Sequence, residues 1–388
     1  MKVVLCGYYG MGNGGDEALL AVLLDMLPAH VTPIVLSGNP THTAQTYGVA
    51  AYPRKSFTQV LTVLKQADGF IWGGGSLMQD ATSLMNPIYY GGLMVLAQRL
   101  GLKTIAWAQG IGPLQRSPSR WLTRYCFQHC TAVSVRDQRS ADLLHQWGIS
   151  ALCAPDPVWA LSSEPFPDLA IDWTQDAIAV VLRPHPLLTP ARLDRLTQGL
   201  NQFQQATQTQ VLLVPFQPVN DRAIATTIQA QLSGPSQIIE LTHPRQLHAL
   251  FSKIKFTIAM RLHGVIMAAA AGNSCWAISY DPKVTQLMQS LNIPGWELDQ
   301  LPDDVNRISQ PWIEQYEQYR QGSGNLEKDM TQPSDAHHQG HVSLAELRQQ
   351  ALLHRSVLED VLCSPNGGSP VGESGGTILK RGFENRRG

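Results

Sequence analysis

The sequence has no excess of charge of either sign and no long apolar run. Its 29 Lys and Arg residues stand against 30 Asp and Glu residues, which leaves a formal net charge of -1. This balance gives no bulk electrostatic reason to bind nucleic acid, so any anion has to be held by local groups. The longest uncharged apolar stretch, residues 264–279, is shorter than the roughly 18 residues that a membrane-spanning helix needs. We therefore predict no integral membrane segment and no nucleic-acid partner.

The spacing of the cysteines also indicates neither a disulfide framework nor a metal site. The six cysteines form no C-x-x-C pair, and most of them lie in apolar stretches, as small core residues do in a reducing compartment. Cys126, His129 and Cys130 fall within about one helical turn, but a fourth ligand at the usual spacing is absent. The apolar run after Lys2 is too short for a secretory signal. We predict a cytoplasmic protein with no metal and no cofactor, and peripheral association with the inner face of the membrane stays open.

The sequence does contain a regular alternation of short β-rich runs and helical patterns, among them a helix predicted over Gly91–Leu100. The predicted strands are Lys2–Cys6, Thr32–Leu36, Gly69–Trp72, Thr104–Ala108 and Ala132–Val135, then Ala177–Leu182, Gln210–Val214, Gln237–Glu240, Phe256–Ala259 and Ser274–Ser279. Fully apolar strands that alternate with helices predict parallel sheets covered on both faces. The fold class is α/β, with two Rossmann-like domains that face each other across a cleft.

Changes in composition divide the chain. A Pro-rich stretch near residues 156–172 predicts a boundary, so residues 1–160 are assigned to an N-terminal domain and residues 172–320 to a C-terminal domain. Residues 321–343 are polar and predict a linker or insertion. An apolar stripe predicts one C-terminal helix over residues 344–363 that packs on the body, followed by a disordered tail at residues 364–388.

Three glycine-rich loops follow strands of the first half. Such loops let the backbone approach a ligand closely and can point helix N–H groups at an anion. The first loop satisfies G-x-G-x-x-G, but the second predicted strand ends without the acid that a dinucleotide site requires, and any single loop has a purely structural alternative. Asp16 is in addition a candidate cap of the following helix. Together the loops predict one binding cleft, with the candidate substrate-binding residues Gly10, Asn13, Asp16, Gly74, Gly75, Asp80, Gln109 and Gly110.

Cationic and imidazole side chains also follow predicted strands. Arg136 can bind a phosphate or carboxylate, or it can form a structural pair with Asp137 or Asp156. Arg261 and His263 are two residues apart, so at an extended strand end their side chains are expected to share one face.

Two further cationic side chains follow strands in the second half. Lys283 begins a helix, where a cation is unfavourable unless it meets an anionic ligand. Arg183 closes the first strand of the second half and is a further candidate for substrate binding.

These stretches together resemble the polysaccharide pyruvyl transferase family, and most closely its CsaB-type branch, which serves cell-surface anchoring. The resemblance covers about residues 1–320 and is carried by GYYGMGNGGDEA (Gly7–Ala18), GGGSLMQD (Gly73–Asp80), QGIGP (Gln109–Pro113), SVRD (Ser134–Asp137), DPV (Asp156–Val158), RLHG (Arg261–Gly264) and YDPKV (Tyr280–Val284). It implies a fold similar to the two-domain GT-B glycosyltransferases. It also implies that Arg136, Arg261, His263 and Lys283 occupy the family's catalytic and donor-binding positions.

The activity that the resemblance implies is transfer of the enolpyruvyl unit of phosphoenolpyruvate to a hexose, with a pyruvate ketal and phosphate as products. The implied acceptor is an N-acetylmannosamine-like sugar of a lipid-linked or polymeric wall glycan at the inner face of the membrane. No basic amphipathic patch is evident, so a lipid-linked acceptor has to present its head group to the cleft. We expect the acceptor on the N-terminal domain and phosphoenolpyruvate, a co-substrate, on the C-terminal domain.

Two other function classes remain open on the same architecture. A GT-B nucleotide-sugar glycosyltransferase would use the helix termini of the second half for a nucleotide diphosphate, and it would consume a nucleotide sugar instead of phosphoenolpyruvate. A non-catalytic glycan- or anion-binding module would be free to lose some of the four candidate catalytic residues, all of which are present.

Overall fold

The computed structural model describes residues 1–81, 83–322 and 343–364. Two parallel sheets form the frame, one in each half of the chain, and this confirms the predicted pair of Rossmann-like domains. In the first strand, Val3 and Leu5 belong to one apolar core and Val4 and Cys6 to another, so both faces of the sheet are covered. Alternation of side chains along a strand produces this arrangement from a continuous apolar run.

The first half contains a seven-stranded sheet in the order β3-β2-β1-β4-β5-β6-β7. Its elements are β1 (Lys2–Cys6), α1 (Gly14–Met26), β2 (Thr32–Ser37), α2 (Pro40–Tyr47), β3 (Ala50–Pro53), α3 (Phe57–Lys65), β4 (Gly69–Trp72), α4 (Met85–Arg99), β5 (Lys103–Gln109), α5 (Ser117–Gln128), β6 (Ala132–Val135), α6 (Gln138–Gln146) and β7 (Leu152–Cys153).

The second half contains a six-stranded sheet in the order β10-β9-β8-β11-β12-β13. Its elements are β8 (Ala177–Val181), α7 (Pro190–Thr207), β9 (Gln210–Leu213), α8 (Pro218–Gln229), β10 (Ser236–Ile238), α9 (Pro244–Phe251), β11 (Phe256–Ala259), α10 (Leu262–Ala270), β12 (Ser274–Ser279), α11 (Pro282–Leu291), β13 (Gly295–Glu297) and α12 (Asn306–Arg320). Helix α13 (Leu344–Ala351) and helix α14 (His354–Leu362) follow. In the described ranges, no helix has both the length and the apolarity to cross a bilayer.

The order of the strands reverses once in each sheet. In the first sheet β1 lies between β2 and β4, and in the second sheet β8 lies between β9 and β11. A crevice opens beyond the carboxyl ends of the strands at such a reversal, because the connections leave in opposite directions there. The loops after β1, β4, β8 and β11 are therefore placed to form a site between the two halves.

The C-terminal segment differs from its prediction. In place of one helix over residues 344–363, α13 and α14 are separated by a turn at Leu352 and Leu353, both of which are exposed. The apolar positions 347, 352 and 357 are five residues apart, which is not the spacing of one helix face, so each short helix packs its own face. Helix α14 packs on β5 and β6 of the first half, where the indole of Trp107 donates to the carbonyl of His354 at 3.1 Å.

The predicted helix over Gly91–Leu100 also proved too short, since α4 begins at Met85. The added first turn contains Pro87, which is tolerated there because no intrahelical N–H bond is lost. Gly91 lies against Leu122 of α5 and allows the two helices to approach closely. Most of the predicted linker at 321–343 and of the tail at 364–388 lies outside the described residues.

Candidate functional site

A cavity of about 620 Å³ lies between the two halves at the carboxyl ends of their strands. Six of the predicted site residues line it: Asn13, Asp16, Arg183, Arg261, His263 and Lys283. Tyr8, Ser76 and Tyr90 of the first half and Tyr280 of the second half add polar and aromatic surface. The cavity is thus lined by both sheets, with most of the positive charge on the second half.

Arg136, directly after β6, lies behind this lining and joins the two halves. Its Nη1 is 2.5 Å from Oδ2 of Asp156 and 3.2 Å from Nε2 of His263, and its Nη2 donates to the hydroxyl of Ser76 at 3.3 Å. A guanidinium only donates hydrogen bonds, so the contact with Nε2 uses the nitrogen lone pair and assigns the imidazole proton to Nδ1. The Arg136–Asp156 pair, one of the two alternatives from the sequence, is present together with a contact to the candidate acid.

Asp156 is the anion of this cluster and is almost fully buried. Its Oδ2 is also 3.5 Å from Nε2 of His263, and its Oδ1 accepts from the N–H of Val158 at 3.0 Å. Burial disfavours the charged carboxylate, but the Arg136 guanidinium and the contact with His263 outweigh this and hold the pKa of Asp156 well below its usual range. The carboxylate therefore stays ionised and orients both the Arg136 guanidinium and the His263 imidazole.

Lys283 reaches across the cavity from the start of α11 to the first half. Its Nζ donates to the hydroxyl of Ser76 at 2.6 Å and to the carbonyl of Gly112 at 3.2 Å. Burial, and secondarily the charge of Arg136, lower the pKa of Lys283 to about 8. Within the described residues no carboxylate lies at ion-pair distance from Nζ, so this ammonium keeps unused capacity for an anion.

The expectation that Arg261 and His263 share one face is wrong. Strand β11 ends at Ala259 and α10 begins at Leu262, so the two residues lie at a helix start where side chains two apart diverge. Arg261 turns to α8 and forms two bonds with the fully buried carboxylate of Asp221, from Nε at 2.7 Å and from Nη2 at 2.6 Å. His263 turns to the first half instead.

Asp16 lies in the first turn of α1, also lines the cavity, and is half-buried. It does not cap the helix, because Asn13 does so by accepting from the N–H of Gly15 at 3.1 Å. Among the described residues no group donates a hydrogen bond to the Asp16 carboxylate. Burial raises the pKa of Asp16 to about 6, although the nearby His263 and Arg136 oppose the shift.

The first glycine-rich loop joins the halves, and it is not an open cradle for phosphate. The N–H of Gly14 donates to the carbonyl of Phe216 at 2.8 Å, and the N–H of Gly10 donates to Oε1 of Glu17 at 2.8 Å. A Cβ on Gly15 would overlap the His263 imidazole. Glycine is needed there because α1 and the imidazole of the other half touch.

Several predicted binding residues have structural partners and do not line the cavity. Gly10 has a φ of +69° and lies against Ser37 and Asn39, whereas Gly74 lies against Leu19. Asp80 accepts from the N–H groups of Gln115 and Arg116 at 2.7 and 2.9 Å, and these bonds lower its pKa. These three residues shape the loops and do not reach the cavity.

The remaining residues of these loops lie close to the charged cluster but do not line the cavity. Gln109 is fully buried and donates to the carbonyls of Gly73 and Trp107 at 2.5 and 3.0 Å. A Cβ on Gly110 would lie 3.0 Å from the Ser76 hydroxyl and 3.3 Å from Nε of Arg136. A Cβ on Gly75, whose φ is +123°, would lie 3.5 Å from the Asp16 carboxylate. Gly110 and Gly75 thus let the loops approach the charged groups.

Arg183 lies at the cavity edge with Tyr280. Its Nη1 donates to the Tyr280 hydroxyl at 3.0 Å, and its guanidinium carbon is 5.1 Å from the centre of the same ring. Sequence reasoning did not single out Ser76, Asp221 or Tyr8, because a buried acid on α8 and a serine after three glycines carry no local signal. Only the three-dimensional meeting of distant loops identifies them.

Comparison with known proteins agrees with this architecture. The solved structure of UDP-GlcNAc 2-epimerase from Neisseria meningitidis matches with a TM-score of 0.61 at 11% identity, over 94% of this chain and 100% of that chain. MurG from Acinetobacter baumannii matches with a TM-score of 0.51 at 12% identity, over 94% of this chain and 99% of that one. Such low identities show the fold alone, which is GT-B-like. The model of the polysaccharide pyruvyl transferase family matches residues 13–282, well over half of the chain. The chain therefore belongs to the polysaccharide pyruvyl transferase family.

Proposed function

We propose that this protein transfers the enolpyruvyl group of phosphoenolpyruvate to a hexose of a cell-surface glycan precursor, forming a pyruvate ketal and releasing phosphate. The observation that carries the proposal is the meeting of His263 and Lys283 at one cavity that the unpaired Asp16 also lines, with Arg136 directly behind them in contact with His263 and Ser76. Two cations suit a donor with a phosphate and a carboxylate, and an imidazole beside an ionised carboxylate suits proton transfer.

The donor is bound by the cationic side of the cavity. Lys283 and Arg136 converge on the hydroxyl of Ser76, so an anionic group next to Ser76 would be neutralised by both. Arg183 at the cavity edge offers a further contact. Arg261 is already held by Asp221, so it supplies positive charge from a fixed position and does not need to move.

The proton for the donor comes from His263. A bound anion gives Arg136 a better partner than the imidazole nitrogen, and Nε2 then takes up a proton next to Asp156. Transfer of this proton to the methylene carbon of phosphoenolpyruvate makes C2 electrophilic. The negative charge of Asp156 stabilises the protonated imidazole until the transfer.

Asp16 accepts the proton of the attacking sugar hydroxyl. The first hydroxyl forms a C–O bond to C2, and its proton passes to the carboxylate. The second hydroxyl then attacks C2, the bond between C2 and the phosphate oxygen breaks, and phosphate leaves with one proton. Of the two hydroxyl protons, one replaces the proton given to the methyl group and the other leaves with phosphate, so the steps balance. An N-acetylmannosamine-like acceptor on a lipid-linked wall glycan at the inner membrane face completes the proposal.

The direct test is phosphate release by the purified full chain from phosphoenolpyruvate. We expect release only when a hexose acceptor with two suitably placed free hydroxyls is present, together with a mass gain in the acceptor that corresponds to the ketal. UDP-N-acetylglucosamine serves as the competing donor. Consumption of the nucleotide sugar with no acceptor-dependent phosphate release would reject pyruvyl transfer in favour of glycosyl transfer.

The dependence of kcat/KM on pH is expected to be bell-shaped. Asp16 acts as a base only when ionised, and its pKa near 6 means that activity rises as the pH passes through about 6. Lys283 binds the donor only as an ammonium, and its pKa near 8 means that activity falls as the pH passes through about 8. Asp16→Asn should remove the acid limb and lower kcat by about 10²- to 10⁴-fold, whereas Lys283→Arg should move the alkaline limb upward.

Glu17→Gln is the matched control for the acid limb. Burial raises the pKa of Glu17 to about 7, but its carboxylate accepts from the Gly10 N–H and the Tyr47 hydroxyl and does not line the cavity. The acid limb should survive in this variant. If the acid limb instead disappears in Glu17→Gln and persists in Asp16→Asn, then Glu17 and not Asp16 is the base, and the assignment of Asp16 is wrong.

A further inference from the structure

The charge of the chain is divided very unevenly. Residues 26–136 contain nine basic residues and only two acidic ones, a net charge of +7, so the rest of the chain carries -8. Neither acid is free: Asp80 is buried against backbone N–H groups, and Asp68 accepts from the N–H of Lys2 at 2.7 Å. Arg136 is paired with Asp156 inside the protein, but the remaining surplus of basic residues favours an anionic surface as partner.

Helices α4 and α5 of this region lie side by side on one face of the first sheet. Tyr90 and Met94 of α4 and Phe127 of α5 share one apolar core, and Gly91 packs against Leu122 between the helices. Successive right-handed crossovers between parallel strands place helices on the same side in this way. The outer faces of α4 and α5 therefore form one continuous surface.

This outer surface is apolar at its centre and basic beside it. Trp121 is 67% exposed, Met85 62% and Ile88 55%, so three large apolar side chains are exposed on two neighbouring helices. Arg120 and Arg124 are exposed on the same stripe of α5 as Trp121, and α4 and α5 contain no acid. Neither arginine forms an ion pair with another described residue. We call these five residues the α4–α5 face.

We propose that the α4–α5 face docks the protein on an anionic lipid bilayer. Tryptophan prefers the boundary between head groups and acyl chains, and exposed Met and Ile side chains insert there. Arginines beside them gain from the negative surface potential of anionic lipids. Sequence reasoning found no basic amphipathic patch because the basic and apolar parts lie on two different helices, and only their packing brings them together.

The α4–α5 face lies close to the cavity, so docking there would bring the bilayer near the proposed active site. Ser83 and Asn86, at the start of α4, line the cavity one turn or less from Met85. A bilayer against the α4–α5 face would lie next to the cavity mouth on the first half, where the acceptor is proposed to bind. The benefit to catalysis depends on the proposed function, but the binding itself does not.

Flotation of the purified full chain with lipid vesicles tests the proposal. We expect binding to vesicles that contain phosphatidylglycerol, none to vesicles of phosphatidylcholine alone, and release at high salt. The double variant Arg120→Glu with Arg124→Glu should lower the partition coefficient by about thirtyfold or more, since each arginine near the surface contributes about fivefold. Trp121→Ala should lower it by about tenfold.

Matched controls lie on the other half. Lys253→Glu with Lys255→Glu reverses two exposed cations of the second half, and Trp173→Ala removes an exposed tryptophan there. Both should bind vesicles as the unaltered chain does. Equal losses in the controls, or no binding by the unaltered chain, would overturn the proposal. So would a lipid-free dimer that the Arg120 and Arg124 reversals dissociate, because the face would then join two copies.

A soluble acceptor separates this proposal from the proposed function. Phosphate release with a soluble sugar acceptor should be unchanged in the Arg120 and Arg124 double variant, whereas release with a vesicle-bound acceptor should fall. Vesicle binding without any transfer from phosphoenolpyruvate would reject the function and leave the docking surface intact.

Discussion

His263→Gln is expected to lower kcat for ketal formation by about 10²- to 10⁴-fold, with a much smaller change in KM for phosphoenolpyruvate. Glutamine can still accept the bond from Arg136 at the position of Nε2, so the contact between the two halves is kept while the transferable proton is lost. The free energy of unfolding should therefore change little. Initial rates of phosphate release at saturating donor, beside thermal unfolding, measure both effects.

Gly15→Ala provides the companion variant. It keeps the imidazole as a chemical group but moves it, because the new Cβ occupies the space of the ring. A loss of kcat similar to that of His263→Gln is expected, because the displaced imidazole no longer holds its proton next to the methylene carbon of the donor. His145→Gln, an exposed histidine on α6, is the control and should be silent. Near-normal rates in His263→Gln would remove this residue from the acid role.

Much of the two sheets could be predicted from the sequence, because buried parallel strands appear in it as continuous apolar runs. Strands β1, β4, β6, β11 and β12 begin and end where the sequence analysis placed them. Three edge strands, β3, β7 and β13, were missed, because they contain no buried side chain and so carry little apolar signal. The helix predicted over Gly91–Leu100 was shorter than α4, which also includes Pro87 in its first turn.

The candidate site was only partly predictable, for a different reason. A loop after a strand can be assigned to the carboxyl edge of its sheet, so the sequence could bring Asp16, Lys283 and Arg183 to one crevice. It could not show which side chains would pair. Arg261 is bound to Asp221, 40 residues away on another helix, and no local pattern encodes that contact. Glycines at 10 and 74 indicate close backbone packing as readily as a ligand, and their neighbours decide between the two.

Arg136→Ala is expected to damage both the stability of the protein and its affinity for the donor. Removing the guanidinium leaves the almost fully buried Asp156 carboxylate without its main partner, which costs about 3–5 kcal/mol in the free energy of unfolding. Loss of the charge beside Ser76 and His263 should lower kcat/KM for phosphoenolpyruvate by about a hundredfold or more. Chemical denaturation and donor saturation curves measure the two losses separately.

A second substitution distinguishes these two losses by their cause. Because pairing holds the pKa of Asp156 low, its contribution to stability is present above the pKa of an unfolded aspartate and is lost as the pH falls below it. The stability difference between Arg136→Ala and the unaltered chain should therefore shrink in acid. Adding Asp156→Asn removes the unpaired charge and should restore much of the stability at neutral pH, but none of the donor affinity. Recovery of donor saturation in the double variant would mean that Arg136 only neutralises Asp156, and the guanidinium would then have no part in binding phosphoenolpyruvate.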